Sequence, residues 1–133
     1  MKVFADAFYF IALLNRRDAG HRKASAFGAG YAGTIFTTEW VLVEFADAAA
    51  GTPMRSQAAA MIAAIRTEPE FQVLPASDFL LDRALELYTA RADKKWSLTD
   101  CISFLTMQDE QLTDALTADH HFVQAGFNAL LCE

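Results

Sequence analysis

Short apolar segments rich in β-branched and aromatic residues alternate along this chain with longer segments of helical periodicity. This alternation is typical of βαβ units, in which a helix connects two parallel strands of one sheet. The segments expected to be strands are residues 3–5, 34–37, 71–74, 115–117 and 129–131. The segments expected to be helices are residues 8–15, 18–29, 39–50, 53–66, 78–91, 98–110 and 120–124. The sequence therefore predicts an α/β fold whose parallel sheet is covered by helices on both faces.

The length and composition are those of a folded domain. With 133 residues, of which 53% are hydrophobic and 21% charged, the chain is too apolar to be intrinsically disordered and long enough to bury a core. We expect residues 1–133 to form a single domain. The net charge of −6 argues against non-specific binding to duplex nucleic acid, which needs a basic surface.

The cysteine content and the N-terminal segment indicate a cytoplasmic protein. Cys101 and Cys132 are too few for a disulfide scaffold, and the sequence contains no CxxC or HExxH zinc motif. The N-terminus resembles a secretory signal, but Asp6 interrupts its apolar stretch and no small-residue cleavage site follows before Arg16-Arg17. Its longest uncharged apolar run, residues 7–14, is far shorter than a membrane span.

One motif suggests dinucleotide binding but lies in the wrong context. Gly28, Gly30 and Gly33 fit the pattern GxGxxG, and Asp47 follows at about the spacing of a ribose-binding acid. The fingerprint requires a strand before it and a helix after it. Here a predicted helix precedes the glycines and a predicted strand follows them. We therefore interpret this segment as a helix-to-strand loop.

Four acidic residues lie just after predicted strands or near the start of the following helices. Asp6 directly follows the first strand and Asp119 follows the fourth. Glu44 lies on the helix after the second strand, and Asp100 opens the helix that begins near Leu98. Because parallel strands end at one edge of their sheet, we expect these four side chains to converge there.

Such a cluster has a chemical requirement that the neighbouring sequence does not meet. Ionised carboxylates in an apolar neighbourhood are costly unless they are paired or bind a metal, and they repel one another. The sequence segments that contain these four acids have no lysine or arginine that could pair with them locally. All-oxygen ligands suit Mg²⁺ or Mn²⁺. The pattern therefore favours a divalent-cation site.

Each acid also has a purely structural interpretation. Asp6 and Asp119 could cap helix N-termini, which is compatible with metal binding. Ser97 and Asp100 fit a capping box, with Asp in place of the usual Glu. Glu44 could be a solvated helical position. The functional interpretation gains strength because all four acids fall at one predicted edge.

Four segments of the chain resemble PIN-domain proteins, in particular the VapC toxin-like branch. The segments are VFAD with IALLN, TTEWVLVEFAD, SLTDCISFLTM and ALTADHHFVQAGF. The resemblance implies a three-layer α/β/α sandwich with a parallel sheet of about five strands. It also implies a metal-dependent endoribonuclease that cleaves single-stranded RNA. Such a protein would be the toxin of a toxin-antitoxin pair, with an antitoxin as partner and a homodimer as its common assembly.

The resemblance assigns roles to individual residues. Asp6, Asp100 and Asp119 would hold one or two Mg²⁺ or Mn²⁺ ions, with Glu44 completing the set, and hydrolysis would leave a 5′-phosphate and a 3′-hydroxyl. Thr117 lies two residues before Asp119, and Ser103 lies one helical turn after Asp100. We expect their hydroxyl groups to orient the acids, although for Ser103 an ordinary helical hydroxyl explains the sequence equally well.

One departure from the family pattern favours a second hypothesis. The family commonly has a small polar pair after the first aspartate, whereas Ala7 and Phe8 follow Asp6 here. Loss of a polar group that supports a metal ligand typically costs 10–100-fold in affinity or activity. The alternative function is a weak or inactive PIN-like module that binds RNA or an antitoxin without cutting.

Other features admit both a functional and a structural explanation. Two basic groups could guide an RNA backbone or be solvated loop charge, and Trp96 could stack on a base or be buried. The apolar helical segment 58–65 could be core or an interface with a second copy or an antitoxin. His120 and His121 are interpreted as polar residues of a short helix. The two basic groups are Arg16-Arg17 with Arg22-Lys23, and Arg91 with Lys94-Lys95.

Overall fold

The computed structural model describes residues 1–132, in which strands and helices alternate as the sequence predicts. The strands are β1 (Lys2–Ala5), β2 (Thr34–Thr38), β3 (Phe71–Leu74), β4 (Asp114–Leu116) and β5 (Asn128–Ala129). The helices are α1 (Ala7–Leu14), α2 (His21–Gly30), α3 (Glu39–Ala49), α4 (Arg55–Ile65), α5 (Asp78–Ala90), α6 (Leu98–Asp109) and α7 (His120–Gln124).

The five strands form one parallel sheet in the order β3-β2-β1-β4-β5. Right-handed crossovers place the helices between β1 and β3 on one face and the helices after β3 on the other. The strand order reverses direction between β1 and β4. In open parallel sheets the crevice at the carboxyl ends of such a pair is the usual ligand site. The predicted α/β/α architecture is confirmed, and it directs attention to the ends of β1 and β4.

The core lies on both faces of the sheet because its central strand is apolar throughout. Val3, Phe4 and Ala5 of β1 are at most 3% exposed. On one face Phe10 of α1 packs against Phe45 of α3. On the other face, Phe104 and Phe122 pack edge to face, with Phe122 against Phe4. The carboxyl ends of the central strands are thus supported by buried side chains on both faces of the sheet.

Helix boundaries follow the capping chemistry that the sequence contains. The Thr38 hydroxyl accepts a hydrogen bond from the amide of Val41, so α3 begins where predicted. Helix α2 begins at His21, later than the predicted residue 18, because the Asp18 carboxylate accepts from the Gly20 amide and closes a turn instead. Helix α4 begins at Arg55, two residues later than the predicted start at residue 53, and Pro53 lies in the turn before it.

The last two strands differ by one or two residues from the prediction. Thr117 lies just beyond β4, and its hydroxyl group contacts site residues, as described below. Strand β5 ends at Ala129, although the amides of Leu130 and Leu131 still donate to carbonyl groups of the β4 segment. The glycine motif connects α2 to β2, which confirms that it is a helix-to-strand loop. No helix of residues 1–132 is long and apolar enough to cross a membrane.

Candidate active site

Asp6 and Asp119 lie at the ends of the two strands that flank the reversal of strand order. Asp6 follows β1 and is only 7% exposed. It is the N-cap residue of α1, yet its side chain does not cap the helix. Asp119 is the N-cap of α7, and its Oδ1 accepts from the amide of His121 at 2.9 Å. The carboxylate of Asp6 therefore has no structural capping role, whereas that of Asp119 has one.

The hydroxyl group of Thr117 connects these two aspartates. Its Oγ1 donates to Oδ2 of Asp6 at 3.0 Å and accepts from the amide of Asp119 at 3.1 Å. Thr117 is fully buried, so water does not compete for these hydrogen bonds. The expected contact between Thr117 and the acids is therefore present, and it holds Asp6 in one orientation.

Asp100 lies in the first turn of α6 and is anchored from two sides. Its Oδ2 accepts from the amide of Ser97 while its own amide donates to the Ser97 hydroxyl, which completes a capping box. The same Oδ2 lies 3.0 Å from Nδ1 of His121, and that nitrogen lies 3.5 Å from Oδ1 of Asp119. The structural interpretation of Asp100 is correct, and it coexists with a place in the acidic cluster.

Glu44 on α3 is half-buried and faces the other three acids. Burial, together with the charges of Asp6, Asp100 and Asp119, raises the pKa of Glu44 to about 7. Burial likewise raises the pKa of Asp6 to about 6, opposed by the hydrogen bond from Thr117 and assisted by Asp100 and Asp119. The four carboxylates thus form one electrostatically coupled group, as the strand-end pattern predicts.

The charge of this group is poorly compensated by protein cations. Within residues 1–132, no lysine or arginine nitrogen lies within 4.0 Å of the four carboxylates, and the basic contacts come from His120 and His121. Ligand atoms of Asp119, His120 and His121 lie within 4.8 Å of one another. Four neighbouring carboxylates that repel one another fit a divalent cation such as Mg²⁺ or Mn²⁺, which prefers oxygen ligands. The donor set therefore fits the metal that the sequence suggests.

Two residues considered earlier lie differently from the functional expectation. The Ser103 hydroxyl is fully buried and has no hydrogen-bond partner among residues 1–132, so the expected contact with the acids is not formed. The Phe8 ring packs against Gly20, where a Cβ atom would lie 2.8 Å from Cζ of Phe8. Phe8 therefore fills space at the turn between α1 and α2.

His121 has a place in the site that its sequence position does not indicate. The sequence predicts a polar position of a short helix, whereas the imidazole lies between Asp100 and Asp119. The available signal was its position two residues after Asp119, in a cluster that lacks lysine and arginine. Because α6 and α7 meet only in the tertiary structure, the partner Asp100 could not be inferred from spacing.

We expect Thr117→Val to weaken metal binding by about 10–100-fold, because it removes the hydrogen bonds that orient Asp6 and Asp119. Isothermal titration with Mn²⁺ measures this directly. Thr117→Ser retains the hydroxyl and should bind nearly as well as wild type. Thr106→Val is a matched control, since it also removes a buried hydroxyl, one that donates only to the Ile102 carbonyl. Equal affinity of Thr117→Val and wild type would contradict the orienting role.

Comparisons with known proteins place nearly the whole chain in one family. A family model described as PIN domain matches residues 3–128. The 23S rRNA-specific endonuclease VapC20 of Mycobacterium tuberculosis is 28% identical over 125 residues, covering 94% of this chain and 95% of the relative.

Solved structures show the same similarity in three dimensions. The crystal structure of Mycobacterium tuberculosis VapC20, a sarcin-ricin loop cleaving toxin, superposes with a TM-score of 0.86 at 27% identity, covering 94% of this chain and 95% of that one. VapBC2 from Rickettsia felis, bound to a DNA fragment from its promoter, has a TM-score of 0.66 at 11% identity and covers 97% of both chains. The second similarity concerns the fold alone. From its sequence profile, its strand order and the acids at its strand ends, this chain belongs to the PIN-domain family.

Proposed function

We propose that this protein is a metal-dependent endoribonuclease that cleaves single-stranded RNA and acts as the toxin of a toxin-antitoxin pair. The observation that carries the proposal is the coupled group of Asp6, Glu44, Asp100 and Asp119 at the reversal of strand order. A phosphodiester substrate is polyanionic, so four bare carboxylates would repel it. The site makes chemical sense for RNA only when cations lie between the carboxylates and the phosphate.

The roles of the side chains follow from their contacts. Asp6, Asp100 and Asp119 would hold one or two Mg²⁺ or Mn²⁺ ions, and Glu44 would complete the set. When bound, the cation activates water and neutralises charge that develops on the scissile phosphate. Thr117 orients Asp6, and the Ser97 amide orients Asp100. The hydrolysed strand would carry a 5′-phosphate and a 3′-hydroxyl.

The imidazole of His121 lies between two of the proposed metal ligands. Its Nδ1 lies 3.0 Å from Oδ2 of Asp100 and 3.5 Å from Oδ1 of Asp119. Each of these carboxylates is also held by a backbone amide, so the group is organised before ions or RNA arrive. Such preorganisation avoids reordering side chains during the reaction.

The similarity to VapC20 suggests which RNA to test as a substrate and where in the cell the protein would act. That relative is a 23S rRNA-specific endonuclease, so a hairpin loop of ribosomal RNA is the first substrate to test. A ribosomal target would place the activity of this protein in the cytoplasm. We also propose that residues 1–133 act as one domain, since all five strands form a single sheet.

The partners proposed are an antitoxin and a second copy of this chain. Toxin-antitoxin assemblies are among the solved structures that share its fold. Helix α4 offers a surface of small side chains, because Ala59, Ala60, Ala63 and Ala64 are exposed. The molar mass of the purified protein by light scattering, alone and co-expressed with the product of an adjacent small reading frame, tests both partners.

The proposed activity is tested by incubating the purified protein with several single-stranded RNAs and an rRNA hairpin. Mg²⁺ or Mn²⁺ is present in one series, and EDTA is added in a second. Cleavage that depends on the metal and stops with EDTA supports the proposal. End-labelling of the products checks for the 5′-phosphate. If no RNA is cut under any metal condition while the protein remains folded, the ribonuclease proposal is wrong.

The alternative function, an inactive PIN-like binding module, is favoured by Phe8. The ring occupies the place where the family commonly has a polar residue, and it packs against Gly20 in the α1–α2 turn. The ring therefore has a packing role at this turn. It does not supply a hydrogen bond to Asp6, so the support for that carboxylate comes from Thr117.

We expect Phe8→Asn to increase Mn²⁺-dependent cleavage severalfold, because the amide can support a metal ligand. The substitution also removes a partly buried ring, at a cost below the roughly 3–5 kcal/mol typical of a buried Phe. Activity must therefore be measured far below the melting temperature of the variant, with circular dichroism as a check. Phe8→Leu, which keeps apolar volume without an amide, is the matched control. A folded Phe8→Asn protein with unchanged cleavage would show that the departure has no catalytic consequence.

A further inference from the structure

A pocket lies beside the acidic cluster, between the end of α5 and the start of α6. It is open and has a volume of about 590 Å³. We call it the basic pocket, and the residues that define it are Tyr88, Arg91, Lys94, Lys95, Trp96 and Ser97.

The basic pocket shares a wall with the proposed active site. Ser97 lines the pocket, and its amide donates to Oδ2 of Asp100 at 3.0 Å. The Ser97 hydroxyl also accepts from the amide of Asp100. A ligand that fills the pocket is therefore separated from a candidate metal ligand by a single residue. A strand bound with its scissile phosphate at Asp100 would place a neighbouring nucleotide at this pocket.

The charge of the pocket is opposite to that of the whole chain. The protein carries a net charge of −6, but three cationic side chains line the pocket. The acid in contact with them is Asp93, which pairs with Arg91 at 3.0 Å and lies 3.9 Å from Lys94. Asp93 accepts from two of the five guanidinium donors of Arg91. The pocket therefore keeps a positive charge that suits a phosphate.

The aromatic residues of the pocket have different roles from those that the sequence suggests. Trp96 is 7% exposed, and its Nε1 donates to Gln124 at 3.0 Å, so it is not a platform for a base. Its ring instead supports Arg91, whose guanidinium carbon lies 5.1 Å from the ring centroid. Tyr88 is 50% exposed. Tyr88 is thus the aromatic ring of the pocket on which a base can stack.

We propose that the basic pocket binds the RNA strand next to the cleavage site, with Lys94, Lys95 and Arg91 on a phosphate and Tyr88 stacked on a base. The proposal rests on the proposed function and names how that site holds its substrate. An exposed aromatic ring beside cations favours RNA over an acidic protein segment, because a nucleotide offers both a phosphate and a flat face.

The test measures binding without cleavage, in EDTA, by fluorescence anisotropy of a labelled short oligouridylate. We expect Lys94→Ala/Lys95→Ala to weaken binding roughly tenfold and to lower the dependence of log affinity on log salt by about 1.4, or about 0.7 for each lost phosphate contact. Tyr88→Ala should weaken binding roughly tenfold with an unchanged salt slope, and Tyr88→Phe should restore it. Arg55→Ala/Arg66→Ala, which removes two charges from exposed positions bounding α4, is the matched control.

The outcomes separate this proposal from the proposed function. If Lys94→Ala/Lys95→Ala binds the oligouridylate no more weakly than the Arg55→Ala/Arg66→Ala control, the pocket proposal is overturned even when metal-dependent cleavage is present. If the pocket variants lose RNA binding in a protein that never cuts RNA, the pocket proposal stands and the ribonuclease proposal fails. Tighter wild-type binding of an oligoglutamate of equal charge than of oligouridylate would assign the pocket to an acidic protein and overturn it as an RNA site. Melting curves confirm that each variant is folded.

Discussion

Asp6→Asn is expected to lower metal-dependent cleavage at least about 100-fold and to stabilise the metal-free protein at pH 8. Activity falls because the carboxylate is a proposed metal ligand, and loss of a mere hydrogen-bond partner of a ligand already costs 10–100-fold. Stability rises because the buried carboxylate is unfavourably charged, as its pKa of about 6 shows. The gain is about 1–3 kcal/mol, since one pKa unit corresponds to roughly 1.4 kcal/mol. The amide oxygen of Asn can still accept from Thr117.

The measurements are the initial rate of RNA cleavage and urea unfolding in EDTA. Asp82→Asn is the matched control because Asp82 is an exposed residue of α5, outside the acidic group. It should change neither quantity. A variant that cuts RNA at the wild-type rate would remove Asp6 from the proposed metal ligands. A large loss of stability in EDTA would instead mean that the charged form of Asp6 is needed for the fold.

The metal-free protein is expected to lose about 3 kcal/mol of unfolding free energy between pH 5 and pH 8. Burial and mutual repulsion raise the pKa of Asp6 to about 6 and that of Glu44 to about 7. A group whose pKa is raised in the folded state binds protons more tightly there than in the unfolded chain. Its contribution is complete below the unfolded pKa and is lost as the pH rises through the folded value. The figure allows for the remaining solvent access of Glu44.

Urea unfolding in EDTA at several pH values measures this dependence. Asp6→Asn and Glu44→Gln should each flatten the curve between pH 5 and pH 8. Saturating Mn²⁺ should restore stability at pH 8, because a ligand that binds only the folded state stabilises it by mass action. Unfolding free energy that rises with pH across this range in EDTA would contradict the coupling of the four carboxylates.

The architecture was accessible from sequence because its signals are local. The run of Val3, Phe4 and Ala5 is buried on both faces, so its apolar composition alone marks a central parallel strand. N-cap residues such as Thr38 and Ser77 mark helix starts, because each accepts a hydrogen bond from an amide only three residues further along the chain. Errors remained where side chains competed with helix formation, as at Asp18, whose carboxylate closes a turn before α2.

The candidate site could be predicted only in part. Strand ends of a parallel sheet share one edge, so Asp6 and Asp119 were identified from their positions in the chain. The hydrogen bond between Thr117 and Asp6 joins residues 111 positions apart, and it was anticipated only as an orienting contact to the acids. His121 was missed because its partner Asp100 lies on α6.

The sequence by itself determined the alternation of strands and helices, the family and the acids at the strand ends, because each of these depends on short-range pattern. Tertiary structure decided which groups touch. It brought the imidazole of His121 between two aspartates, buried Trp96 against Gln124, and left Tyr88 exposed beside Lys94 and Lys95. These relationships depend on how α5, α6 and α7 pack on one face of the sheet. The way these helices pack depends on all the side chains of the core. The contacts between them therefore join residues whose separation in the sequence follows no regular pattern.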